Sequence, residues 1–355
     1  MFLGIVLGTL TTKFIVDFLF YERKEGKFHL EQVTFENLHK LYSSKLSERA
    51  LTVMVEKFKG FDWSKIDASK EEEPYIKCLK FLSSKIELDG FLPQVRKILS
   101  STNDKTLVAD CLYILRKTQS EYEEAEQFCD SPDLEIRKNA LYLCKEIESD
   151  YLSDFTSLNI DCILPLSKLV FENLNTLKDP IPFIKFCLEL KYKEIVMINF
   201  QSMCRLILQN RGEPFKNVQT LSTVFMDIIK NENTERLDVY LRSILKLTMN
   251  DKDMCIRFIR SGLVEYLMKG INHIKLKVLV NLSSSPKEFV PKFLTQENIN
   301  ILSAVNDELK ITQLVYNCVV SGYNSRNIDF DKLLESLTEN EYTLTIRSYI
   351  AHRKQ

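Results

Sequence analysis

Glycine and proline are scarce in this sequence, which has nine of each among its 355 residues. Proteins built from strands need frequent turns, and turns draw heavily on these two residues. The scarcity therefore disfavours an all-β fold and favours helices joined by short loops. Hydrophobic residues make up 45% of the chain and charged residues 27%. Both values are close to globular averages, so we expect no large disordered region.

The chain also lacks an excess of charge of either sign. It has 48 basic and 49 acidic residues, which gives a net charge of −1. Without a global positive field, nothing concentrates the chain on phosphate groups. Nucleic acid is therefore not an expected partner.

Motifs of metal binding and catalysis are missing as well. The four histidines and nine cysteines are scattered without the spacing of a zinc site, and no CxxC pair occurs. No phosphate-binding loop, GxGxxG, HExxH or GxSxG segment is present. We therefore expect no metal, no cofactor and no enzymatic activity. The odd number of cysteines, spread through apolar helical runs, indicates buried reduced thiols in a reducing compartment.

The sequence does contain two copies of a helical unit between residues 254 and 318. The first copy reads MCIRFIRSGLVEYLMKG and then IKLKVLVNLSSSP, and the second reads FVPKFLTQENINILSAV and then ITQLVYNCVV. Phe258 and Phe293 are 35 residues apart, and Asn281 and Asn317 are 36 apart. A period in this range predicts stacked helical repeats.

Weaker copies extend back to about residue 90. The segments 89–95 and 161–166 are similar, and their prolines, Pro93 and Pro165, are 72 residues apart, which is twice the unit length. The Ser-Pro-Asp segment at 131–133 predicts a short loop and the start of the helix that follows it.

These residues resemble an armadillo repeat. RFIRSGLVEYL followed by KVLVNLSSSP fits a short first helix, a glycine-containing bend, a second helix and a third helix that ends in Asn-Leu. SPDLEIRKNALYLCKEI is similar to the helix-loop-helix of armadillo and HEAT repeats. The resemblance covers residues of about 90–150 and 235–320. It implies an all-α fold with a right-handed α-solenoid of armadillo-like repeats over 89–350, preceded by a helical cap over 28–88.

The resemblance also implies where a partner would bind. Peptide-binding armadillo proteins line a groove with asparagines that bond the backbone of an extended ligand. Asn281 and Asn317 fit that position, but the earlier units offer Ile114 and Leu143, so the ladder is too incomplete to clamp a long peptide by its backbone. The alternative role for both asparagines is local capping or helix-to-helix hydrogen bonding. The candidate groove residues are Asn281, Asn317, Lys277 and Gln313.

A basic pair remains in the first helix of the late unit. Arg257 and Arg260 lie there beside Lys252. We expect this helix to present a solvated face, and a site for an acidic partner is the alternative.

The N-terminus begins with a hydrophobic segment. Residues 2–21 form a 20-residue apolar run, the length of one membrane-spanning helix. Lys13 and Asp17 interrupt this run at a spacing that lets them pair on one helical face. The basic residues that follow are Arg23, Lys24 and Lys27. By the positive-inside rule they place the remainder of the chain in the cytosol. We therefore expect a membrane anchor with a basic flank over 1–27, unless this helix packs on the repeats or lies at an interface.

A solenoid that follows an N-terminal anchor resembles the armadillo-repeat-containing proteins tethered to the mitochondrial outer membrane. This likeness implies a cytosol-facing scaffold that binds protein partners and acts in organelle dynamics. Two other functions stay open. One is an armadillo-type nucleotide-exchange co-chaperone of Hsp70 in the lumen of the endoplasmic reticulum. The other is a soluble structural subunit of a larger complex.

Overall fold

All regular structure in the described part of the chain is helical. The structure, a computed structural model, describes residues 91–354 except 121, 232–235 and 322–327, together with residues 73, 76, 77, 79, 80 and 83. No strand is present among these residues. The prediction of an all-α protein is confirmed.

The predicted membrane anchor lies outside the described residues. This applies to residues 2–21 and to the basic flank Arg23, Lys24 and Lys27, and also to most of the predicted cap at 28–88. Among the helices that are described, none combines the length and the apolar character needed to cross a bilayer.

The chain divides into two compact units. The first comprises Met1–Ile147 and Thr156–Leu169, and the second comprises Glu148–Phe155 and Val170–Gln355. The range 89–350, which the sequence predicts as one array, therefore contains residues of both units.

Two helices of the first unit begin at acidic caps. Its helices are α1 (Leu92–Ser101), α2 (Lys105–Lys117), α3 (Leu134–Leu143), a 3-10 helix (Glu123–Phe128) and most of α4 (Ile160–Glu172). Asp104 accepts a hydrogen bond from the backbone N–H of Thr106 at 2.8 Å, and Asp133 accepts one from Glu135 at 2.9 Å. These bonds satisfy N–H groups that a helix leaves unpaired in its first turn. The helix start predicted at 131–133 is confirmed.

The two prolines that suggested an early repeat lie at different positions in their helices. Pro93 is in the first turn of α1, where its missing N–H costs nothing. Pro165 lies inside α4. The similarity between 89–95 and 161–166 therefore does not correspond to equivalent positions in the two helices.

The second unit consists of helices joined by short loops. They are α5 (Ile181–Leu188), α6 (Lys193–Leu208), α7 (Leu221–Asn231), α8 (Leu237–Thr248), α9 (Lys252–Arg260), α10 (Leu263–Met268), α11 (His273–Ser283), α12 (Gln296–Leu302), α13 (Glu308–Val320), α14 (Asp331–Glu335) and α15 (Glu341–Lys354). Short 3-10 helices occur at Glu213–Asn217 and Lys287–Lys292, and another, Ser149–Ser157, contains residues of both units.

The doubled unit has the same order of elements in both copies. The first copy forms α9, α10 and α11, and Gly262 turns the chain between α9 and α10 with a φ of +89°. A side chain is disfavoured at this φ, and glycine avoids that cost. The second copy forms a 3-10 helix, α12 and α13. Pro291 lies inside that 3-10 helix, and its missing N–H is incompatible with a regular α-helix there.

Five helices of the second unit form a row in which each packs against the next. We call them the third helices, because α11 and α13 are the third elements of the doubled unit. The contacts run from α6 to α8, α11, α13 and α15. Phe200 of α6 contacts Phe225 of α7 and Tyr240 of α8 edge to face, with ring centroids 4.6 and 5.0 Å apart. Phe225 in turn meets Phe258 of α9 at 5.5 Å. These buried aromatic pairs hold α6 against α7 and α8, and α7 against α9.

The described cysteines lie inside the two units. Eight are described, all are buried, and none is in a disulfide. The prediction of buried reduced thiols is confirmed for these eight. The reducing compartment stays a prediction.

Candidate partner-binding surface

Asn281 and Asn317 make the same pair of contacts with the preceding third helix. The Asn281 side-chain amide donates to the Leu245 carbonyl at 3.2 Å and to the Thr248 hydroxyl at 3.3 Å. The Asn317 amide makes the equivalent bonds to a carbonyl and a hydroxyl of α11, at 3.3 and 3.0 Å. Both amide NH₂ groups therefore hydrogen-bond one helix to the next, which is the alternative that the sequence left open.

The corresponding positions of earlier helices carry different residues with the same role. The Lys246 ammonium donates to the Leu208 carbonyl at 2.7 Å and to the Asn210 side chain at 2.6 Å. The Gln209 amide donates to the Asn175 side-chain oxygen at 3.0 Å. We call the four donors the tie residues: Gln209, Lys246, Asn281 and Asn317. Spacings of 37, 35 and 36 residues separate them.

Three of the tie residues, Lys246, Asn281 and Asn317, satisfy groups that a helix cannot pair by itself. The last four carbonyls of an α-helix have no partner within that helix. Leu208 is the last residue of α6, and Leu245 and Val280 lie in the last turns of α8 and α11. Each carbonyl accepts a donor from the following helix. The ties therefore stabilise the row of helices at its carbonyl ends.

A second row lies one turn before the tie residues. Residues four apart in a helix lie on the same face, and all members of this row are exposed. We call them the exposed row: Arg205, Arg242, Lys277 and Gln313. Lys277 and Gln313 are candidates that the sequence identified, whereas Arg205 and Arg242 were missed. Three of the four side chains carry positive charge.

Arg205 is positioned by an aromatic neighbour. Its guanidinium carbon lies 3.9 Å from the centroid of the Phe171 ring, and one guanidinium nitrogen donates to the Phe171 carbonyl at 3.3 Å. A cation held over an aromatic face is partly pre-ordered, so less rotamer entropy remains to be lost when an anion binds.

Asp307 is an acidic residue at the start of α13, the helix that carries Gln313 of the exposed row. Asp307 caps α13 and contacts the Lys310 ammonium at 2.7 Å and the His273 ring at 3.2 Å. Burial alone would raise the pKa of its carboxyl, but the hydrogen bonds from Lys310 and His273 hold that pKa below its usual range. Asp307 is thus an anion that is already paired with the Lys310 ammonium within the fold.

Arg257 does not lie on a simple solvated face, and that prediction was wrong for this residue. Its guanidinium donates to the carbonyl of Lys216 at 2.5 Å, to that of Val218, and to that of Gln219 at 3.0 Å. The planar fork of arginine suits several carbonyls at once. Arg260 is exposed as expected.

Within the described residues, no three His, Cys, Asp or Glu side chains come together in a group that could hold a metal ion. The predicted topology residues Arg23, Lys24 and Lys27 lie outside those residues.

Comparisons with known proteins add little to this geometry. No protein-family model matches the chain, and the search of curated proteins found no match. Two solved structures, each described as the crystal structure of an engineered protein, align with it. The first is 11% identical, with a TM-score of 0.33, and the alignment covers 90% of this chain and 81% of that one. The second is 12% identical, with a TM-score of 0.31, covering 76% and 98%. At these scores neither likeness bears on fold or function.

Proposed function

We propose that this protein is an armadillo-like α-solenoid scaffold that binds a protein partner on the third helices of its second unit. The observation that carries the proposal is the exposed row. It presents Arg205, Arg242, Lys277 and Gln313 at one register on α6, α8, α11 and α13, each of which packs against the next. Side chains at one register give a partner a continuous line of contacts. The absence of catalytic motifs from the sequence favours a binding protein over an enzyme.

The partner is recognised through side chains and carries an acidic segment. The amides of Asn281 and Asn317 are occupied by the neighbouring helices, so they are poorly placed to clamp the backbone of a ligand. Three cations in the exposed row complement carboxylates instead, and such complementarity gives both specificity and faster association.

The scaffold is tethered to a membrane by residues 2–21, with its helices in the cytosol and the mitochondrial outer membrane as the favoured location. The support is the apolar run and the positive charges that follow it. A tag at the C-terminus, tested by protease digestion of intact organelles, decides the orientation. Digestion of the tag supports the proposal. Protection of the tag supports the lumenal co-chaperone, and extraction by carbonate supports the soluble subunit.

The binding surface is tested by reversing charge on the exposed row. The variant Arg242→Glu with Lys277→Glu is compared with a control, Lys269→Glu with Lys287→Glu, which makes the same charge change at exposed positions outside the row. Proximity labelling of the full chain in cells identifies the partner. We expect the row variant to bind the partner about tenfold or more weakly, because favourable ion pairs become repulsive, and so to lose its labelling. The control variant should still label the partner. Equal labelling by both variants would contradict the proposed surface.

A further inference from the structure

Two cysteines of the first unit lie side by side. Cys129 follows the 3-10 helix Glu123–Phe128, and Cys144 follows α3. Their sulfur atoms are 3.2 Å apart. A disulfide bond is about 2.05 Å long, so the sulfurs need to approach by only about 1.2 Å to be joined. A displacement of this size is within reach of small side-chain rotations.

This pair lies nearer the surface than the other six cysteines that the structure describes. Cys129 is 8% exposed and Cys144 is 9% exposed, whereas Cys111, Cys187 and Cys204 are all 0% exposed. A small oxidant can therefore reach the pair more easily than it can reach the other described thiols.

The hydrogen bond across the pair makes the two thiols unequal. Either sulfur can donate in this contact. With Cys129 as the donor, the hydrogen bond and burial both raise the pKa of the Cys129 thiol. The carboxylates of Asp130 and Glu126 act in the same direction. Accepting that bond lowers the pKa of Cys144. Cys144 is therefore the better nucleophile, since the thiolate is the reactive form.

We propose that Cys129 and Cys144 form a redox modification site, which closes to a disulfide when hydrogen peroxide reacts with it and reopens with a thiol reductant. The Cys144 thiolate attacks one peroxide oxygen, so that an S–O bond forms, the O–O bond breaks, and the released hydroxide leaves as water after taking up a proton. The Cys129 sulfur then attacks the Cys144 sulfur. The S–S bond forms, the S–O bond breaks, and the Cys129 proton leaves with the second water. Two electrons pass from the two sulfurs to the peroxide.

The disulfide would close a ring that contains α3 and the loop before it. The two cysteines are 15 residues apart in the sequence, and a cross-link over a segment of this length restricts the unfolded chain. We expect closure to raise the melting temperature of the full chain by roughly 5 °C.

The test treats the purified, reduced full chain with hydrogen peroxide and maps its tryptic peptides without reduction. Cleavage after Arg137 and Lys138 places Cys129 in peptide 118–137 and Cys144 in peptide 139–145, each with a single cysteine. We expect these two peptides to be joined, to separate on reduction, and to account for a loss of two of the nine thiols.

The control variants separate this site from general oxidation. Cys144→Ser should abolish the joined peptide and the rise in melting temperature. Cys162→Ser, which changes another buried thiol of the same unit, should retain both. If Cys144→Ser does not fold, the order in which the thiols of the wild-type chain are lost tests the proposal, which requires Cys129 and Cys144 to react first. Joining of other cysteines at equal yield, or oxidation of Cys129 and Cys144 without joining, would overturn the proposal.

Discussion

The clearest test of how the third helices are held together is Asn317→Asp. This change keeps the shape of the side chain and replaces the amide donor by a carboxylate, which only accepts. The Val280 carbonyl, 3.3 Å from the amide nitrogen, would then face an anion. The Ser283 hydroxyl already donates to the Val280 carbonyl at 2.7 Å, so turning it toward the carboxylate would break that bond.

The expected loss follows from two contributions. Each neutral hydrogen bond contributes about 0.5–1.5 kcal/mol net, and the bonds at 3.0 and 3.3 Å are of ordinary to long geometry. An acidic side chain in the last turn of a helix costs about 0.3–1 kcal/mol through the helix dipole. Asn and Asp have similar helix propensities, so no correction is needed there. The sum is about 2 kcal/mol.

The assay is hydrogen exchange of the backbone amides in α11 and α13 of the full chain. It reports local opening and does not require the whole chain to unfold in one step. A loss of about 2 kcal/mol corresponds to exchange roughly 30-fold faster. Amides of α3 in the first unit serve as an internal reference.

The matched control is Gln313→Glu, which adds the same charge one turn earlier on the exposed row. We expect it to change exchange by less than the equivalent of about 0.5 kcal/mol. Asn281→Asp should behave like Asn317→Asp, because its amide has the same two kinds of partner. If Asn317→Asp and Gln313→Glu have equal effects, the ties do not stabilise the row.

Three further predictions concern other parts of the chain. Burial alone would raise the pKa of Asp251, but a backbone N–H of α9 and the Lys216 ammonium lower it. The stability that this charge adds over Asp251→Asn is therefore present above the ordinary carboxyl range and lost as pH falls through the lowered pKa. The free energies of urea unfolding of the two proteins should converge as the pH falls below that range, and a difference that stays constant would refute this. Arg257→Lys should cost about 2 kcal/mol in urea unfolding because one ammonium cannot reach three carbonyls, whereas Arg260→Lys should change less than about 0.5 kcal/mol. Deletion of residues 1–27 should abolish carbonate-resistant membrane association, and a deleted chain that stays with the membrane would contradict the anchor.

Features that depend on neighbouring residues could be predicted from the sequence. The helix that starts after Asp133 was predicted from a Ser-Pro-Asp segment, because a cap acts on N–H groups only two or three positions away. The bend at Gly262 was likewise expected, and its positive φ gives the reason. The equivalence of Asn281 and Asn317 was visible because both copies kept the same residue type.

Features that depend on chemistry shared by different residues could not be predicted in this way. Lys246 and Asn281 both donate to a carbonyl of the preceding helix in the row. Because the two residue types differ, the repeat pattern of asparagines does not include Lys246. The carbonyls that Arg257 binds belong to the 3-10 helix Glu213–Asn217 and the residues just after it. No periodic pattern connects Arg257 with that segment. The proximity of Cys129 to Cys144 depends on the path of the chain around α3. Sequence spacing alone does not determine that path.

Site-specific photo-crosslinking tests the central claim most directly. A photoreactive amino acid is placed at Lys277 or Gln313 of the full chain in cells, and at Lys287 as the exposed control. The account predicts that the same protein is captured at Lys277 and at Gln313 but not at Lys287, and that the captured peptide is acidic. Capture at Lys287 alone, or no capture at the exposed row, would contradict it.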